Sequence, residues 1–223
     1  MNGTHDTGRA GIADDGDDLD PRQAAEIIEQ TAIRARRQFD PSSPIAAVLG
    51  AGVFLFGYGA VWWSMRDQHV YTGPAGWSFA VLYGLIAISA IASHPRLRRA
   101  TAGIGGRARR QMYAQAAAVA AAGIAAWTVQ GALRHLGVSF EIVYGVYGPT
   151  VPLIALAAAS TGFAASRGRW PELVLAIAIM LIAAGSTFFG PKGAWGLTGL
   201  GCAIALLAYA AVLRTWLRRP VRS

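Results

Sequence analysis

Six apolar stretches, each about as long as a bilayer is thick, constrain this chain more than any other feature. A hydrocarbon core of roughly 30 Å takes about 20 helical residues at about 1.5 Å of rise each. Backbone groups cannot stay unpaired in lipid, so such stretches must be helical. The segments run from Ile45 to Met65, Ala75 to Ser93, Met112 to Leu133, Ile142 to Ala165, Leu173 to Gly190 and Ala194 to Leu213. The expected fold is all-α: a polytopic membrane protein with six transmembrane helices.

Orientation follows from the basic residues, because arginine and lysine resist translocation. Of the 20 lysines and arginines, only Arg66, Arg134 and Lys192 fall on one side. The rest lie in the N-terminal segment, in the loop from Arg96 to Arg110, at Arg167 and Arg169, and from Arg214 onward. That side is expected to be cytoplasmic, with both termini on it, in the cytoplasmic (inner) membrane of a bacterium. Tryptophans favour the headgroup layer. Trp62, Trp63, Trp77 and Trp195 fall at outer ends and Trp170 and Trp216 at inner ends, while Trp127 lies about two turns below the outer end of span three.

With 54% hydrophobic and 14% charged residues, the chain has material for one membrane domain and no sizeable soluble one. The net charge of +8 does not point to nucleic acid. Its positives flank apolar spans, where anionic lipid headgroups attract them. No cleavable signal peptide is expected, since the first forty residues are polar.

The expected organisation is an acidic disordered tail over 1–19, an amphipathic cytoplasmic helix over 20–40, the membrane domain over 44–214 and a basic cytoplasmic tail over 215–223. The acidic run resembles a calcium loop only in part. Counting from Asp15, Glu26 stands at the twelfth position, but Leu19 and Asp20 occupy the fifth and sixth, where a ligand and a glycine are needed. Asp20, Pro21 and Gln23 make a helix start. Beyond it Ile27, Ile28, Ala35 and Phe39 share an apolar face, which fits either a membrane-surface anchor or a cytoplasmic protein partner.

Inside the spans no ionisable side chain falls at mid-bilayer, so coupled transport through buried carboxylates has no support. Span four is the unusual segment. In Tyr144, Gly145, Val146, Tyr147, Gly148, Pro149, Thr150, Val151 and Pro152, the prolines remove the helical partners of the Gly145 and Gly148 carbonyls. Tyr58, Trp127, Gln130, Tyr144, Tyr147, Pro149, Thr150, Ser186 and Thr187 all fall in the outer third of the spans. They form either an outward-facing pocket for an amphipathic or neutral molecule, or a proline kink packed inside an aromatic belt. Small residues recur at Ala114, Ala118, Ala122 and Ala126 and at Gly201 and Ala205, a spacing that packs the bundle or joins a homo-oligomer.

No catalytic motif is present, and no two histidines within spans that could hold haem or metal, so neither an enzyme nor a cofactor is expected. The lone cysteine, Cys202, reads as a small packing residue. The outer loops bring His69 near Asp67 and His135 near Glu141, short of a metal motif.

The stretch from Phe56 to Trp63, continuing from Arg66 through His69 to Pro74, resembles a pattern in small actinobacterial six-span integral membrane proteins of unassigned function. In those a short helix also precedes the first span. The resemblance covers roughly the first ninety residues and implies no site residues. The functional expectation is a non-enzymatic accessory or regulatory component that engages a cytoplasmic partner. The alternative is a small permease or the membrane subunit of a transporter.

Overall fold

The computed structural model describes residues 23, 25–27, 44–101 and 106–218, and every regular element among them is helical. The expected tail over 1–19 lies outside the described residues. Of the helix over 20–40, Gln23 and Ala25 to Ile27 are helical and exposed, whereas Ile28, Ala35 and Phe39 lie outside. The chain divides into two units, Met1–Phe39 and Asp40–Ser223, and the long helices all belong to the second.

The first helical run starts as α1 (Pro44–Gly52), passes through a π-helical turn (Val53–Tyr58) and ends as α2 (Gly59–Met65). Next come α3 (Gly76–Thr101) and α4 (Gly106–His135). A second π-helical turn (Glu141–Tyr147) leads into α5 (Gly148–Ser166). The last run comprises α6 (Trp170–Ser186), a 3-10 turn (Thr187–Phe189) and α7 (Gly190–Arg218).

Among the described residues four stretches are long and apolar enough to cross a membrane: Pro44–Met65, Arg110–His135, Glu141–Ser166 and the 46-residue Trp170–Thr215; Gly76–Ala92 is a shorter apolar helix. The chain is a helical membrane protein. Its surface agrees, because Ile88, Ile91, Ile124, Val174 and Leu181 are large, apolar and exposed. In water such a surface is a liability; in lipid it is the expected exterior.

Trp170–Thr215 is folded in half. Gly190 takes φ 70°, a left-handed conformation suited to glycine, and reverses the chain. The two arms pack antiparallel: the Ser186 and Thr198 hydroxyls meet at 2.6 Å, and a Cβ on Gly201 would lie 2.6 Å from Ile182 Cγ2. Both hydroxyls are buried, and sharing a proton between them avoids an unpaired polar group in an apolar setting. The first run packs along α7, with Gly50 facing Leu206 and Gly196 facing Trp62. Val61, Met65, Leu82 and Trp195 form the core where these runs meet.

Several expected boundaries shift. Helix α6 stops at Ser186 rather than Gly190, and α7 begins at Gly190 rather than Ala194, because the reversal sits on the positive-φ glycine. Helices α3, α4 and α7 also run past the apolar stretches that announced them, to Thr101, back to Gly106 and on to Arg218. Leaving the hydrocarbon does not end a helix when Arg, Leu and Ala follow, since these are good helix formers in water.

Candidate ligand cavity

The two π-helical turns face a common space. In the second, the Gly148 amide donates to the Val143 carbonyl, five residues back. In that register the amide due to the Tyr144 carbonyl belongs to Pro149, which has no N–H. Trp195 supplies the missing donor, its Nε1–H reaching the Tyr144 carbonyl at 3.0 Å. Gln130 Nε2 donates to the Val143 carbonyl at 3.3 Å, and the Tyr58 hydroxyl to the Pro149 carbonyl at 3.3 Å. Side chains from α4, α7 and the first π-turn therefore converge on one irregular stretch of backbone. Pro152 brings no N–H to the Gly148 carbonyl, and both residues line the space beside it.

That space is a partly open cavity of about 870 Å³. One wall is the α3 face carrying Phe79, Leu82, Tyr83 and Ile86; another is the α4 face carrying Trp127, Gln130, Gly131 and Arg134. Gly50, Val53, Phe54 and Tyr58 line it from the first run, Tyr144, Pro152, Leu153 and Leu156 from the second π-turn and α5, and Trp195 from α7. Among the described residues α3 and α4 touch only sparsely. They meet across the opening through Tyr83 and Trp127, with ring centroids 6.2 Å apart. Trp127 and Tyr83 both remain about half exposed, so the opening lies on the side of the bundle.

The polar groups gather at one end. Arg134 Nη1 donates to the Tyr144 hydroxyl at 3.0 Å, and the guanidinium lies 5.9 Å from the Tyr144 ring centroid. Among the described residues no carboxylate pairs with Arg134. The deeper lining is apolar apart from Ser89.

Of the nine outer-third residues singled out from the sequence, Tyr58, Trp127, Gln130 and Tyr144 line the cavity. The other five do not. Pro149 and Thr150 are buried in packing, with Thr150 Oγ1 bonded to the Val146 carbonyl. Tyr147 turns to α4 and donates to the Ala126 carbonyl at 2.9 Å. Ser186 is taken by Thr198, and Thr187 bonds the Ala184 carbonyl in the preceding helix α6. Arg134, one residue past the expected end of span three, also lines the cavity from the last turn of α4. Its signal was the spacing of Trp127, Gln130, Gly131 and Arg134, which places all four on one helical face.

The chain matches no family model, no curated protein and no solved structure. The cavity must therefore be read from its own chemistry. Among the described residues no three His, Cys, Asp or Glu side chains come together to hold a metal ion. The lining offers hydrogen-bond donors, aromatic faces and one cation at a single end of an apolar space. Such a lining suits a molecule with one polar end.

Proposed function

We propose that this chain is a six-crossing protein of a bacterial cytoplasmic membrane that binds an amphipathic molecule in this cavity, acting as a small permease or the membrane subunit of a transporter. The observation that carries the reading is the cavity itself, built on two π-helical turns and placed where α3 and α4 part. π-Turns interrupt the regular ladder and are frequent at functional sites. Non-helical backbone at membrane depth is tolerated where it lines a cavity.

The six-crossing topology has its own support. The antiparallel α6 and α7 put Arg167, Arg169 and Arg214 at one end of the bundle. Lys192 reaches the Arg66 carbonyl at 3.2 Å, which joins the few outer cations at the other end. The first end is the cytoplasmic one by the positive-inside rule.

A second reading, an accessory component docked to a cytoplasmic partner through the helix over 20–40, draws on the exposed Ile27 in a helical stretch. Mass spectrometry of the protein extracted gently with its lipids separates the two. The cavity reading expects a small molecule retained by the wild type and lost from Gly131→Phe, which fills open space in the cavity wall. A stoichiometric soluble protein with no retained small molecule would instead establish the accessory reading.

A further inference from the structure

Resting on that cavity reading, we infer that the occupant is a membrane lipid: one acyl chain lies in the cavity and the anionic headgroup sits on Arg134. Four observations carry the assignment. The opening faces sideways between α3 and α4, where bilayer lipid is the adjacent phase.

The second observation is length. From Tyr144 to Leu156 the cavity follows about 18 Å of helix rise, close to the roughly 15 Å that one leaflet's chains occupy in a 30 Å core. The third is polarity. Apart from Ser89, the lining at depth, with Ile86, Leu153 and Leu156, is apolar and gives a water-soluble metabolite little to bond, whereas a methylene chain needs nothing there.

The fourth is charge. Arg134 lies in the last turn of α4 and carries five N–H donors in a fork. One meets the Tyr144 hydroxyl, and no carboxylate among the described residues takes the others. A phosphate or carboxylate headgroup matches that fork bidentately, and exchange of its water shell for Arg134 occurs at the polar rim of the membrane rather than in its apolar centre. Gln130, one turn earlier on the same face, uses a single N–H on the Val143 carbonyl and keeps its own carbonyl for a headgroup hydroxyl.

The test uses the full chain in nanodiscs holding phosphatidylglycerol and phosphatidylcholine with matched chains. One of the two carries a photoactivatable diazirine at the chain end. Labelled peptides are then mapped by mass spectrometry. The phosphatidylglycerol probe should label the peptides bearing Ile86, Leu153 and Leu156 about fivefold more than the phosphatidylcholine probe, a preference of roughly 1 kcal/mol. Arg134→Gln should level the two probes, Arg134→Lys should keep part of the preference, and Gly131→Leu should lower labelling by both.

Equal labelling of these peptides by the two probes in the wild type would overturn the headgroup assignment and leave a lipid cavity standing. Labelling confined to outward positions such as Val174 and Leu181 overturns both the lipid assignment and the cavity reading. Arg134 is exposed, so its variants should fold; recovery of the thermal transition in each variant checks this.

Discussion

Trp195 Nε1 donates to the Tyr144 carbonyl at 3.0 Å, and this bond exists because Pro149 cannot. The indole also lines the cavity and meets Tyr58 at a tilt and Phe79 edge-on, at 5.1 and 6.0 Å between centroids. Trp195→Phe keeps most of the ring area but strands the carbonyl. The expected loss is about 1 to 2 kcal/mol of stability, at the upper end of measured hydrogen bonds inside membranes. Trp127→Phe, at a half-exposed position, should cost much less. Thermal unfolding of the two variants in one detergent decides the matter; equal losses would mean the bond contributes nothing.

The apolar stretches and their helical nature were open to a reader of the sequence, since length and hydropathy alone set them. The prolines of span four were also legible, but their consequence was not. An α-helical register strands the Gly145 carbonyl; the π-register moves the vacancy to Tyr144. Which register forms depends on donors from Gln130 and Trp195, far away in the chain. Helix neighbours were out of reach for the same reason. Lipid-facing and packed faces are equally apolar, so periodicity does not separate them. Nothing local announces that α3 and α4 stand apart, and without that the cavity and the role of Arg134 stay hidden.

Close approach of the first and last runs depends on Gly199. A Cβ there would lie 2.6 Å from Tyr58 Cβ and 3.1 Å from the Phe54 carbonyl oxygen. The oxygen belongs to backbone and cannot rotate away. Gly199→Ala should therefore destabilise by about 1 to 3 kcal/mol and shift Tyr58, which lines the cavity. Gly123→Ala is the control, since nothing lies within 4 Å of its Cβ, and it should stabilise by up to about 1 kcal/mol. Denaturation in mixed micelles should order the two variants on opposite sides of the wild type.

Lys192 ties α7 to the first outer loop. Its ammonium donates to the carbonyls of Arg66 and Gln68, just past the end of α2. Gln68 then bonds the Ser64 and Gly73 carbonyls and accepts from the Thr72 amide, holding the loop in one shape. Lys192→Met keeps the stem and removes the charge. Amide exchange over 66–73 should speed up by about fivefold, the effect of roughly 1 kcal/mol, while exchange within α5 stays as it was. Unchanged exchange in the loop would show that Gln68 alone suffices.

Tyr71 gives the loop a dependence on pH. Among the described residues its hydroxyl has no hydrogen-bond partner, and it would lie 3.0 Å from a Cβ on Gly145. Burial, and then the carboxylate of Glu141, push its ionisation up from the ordinary 10.0 to about 12. The folded chain holds this proton more tightly than the unfolded chain does. The resulting stability is complete below pH 10.0 and is lost as pH rises toward about 12. Tyr71→Phe removes both the titration and an unpaired hydroxyl. Near neutral pH it should be as stable as the wild type or better by about 1 kcal/mol. Across that alkaline window the wild type should fall relative to the variant, because only the wild type must ionise a half-buried phenol as it unfolds. Parallel curves for the two proteins would place the hydroxyl in contact with water and remove the effect.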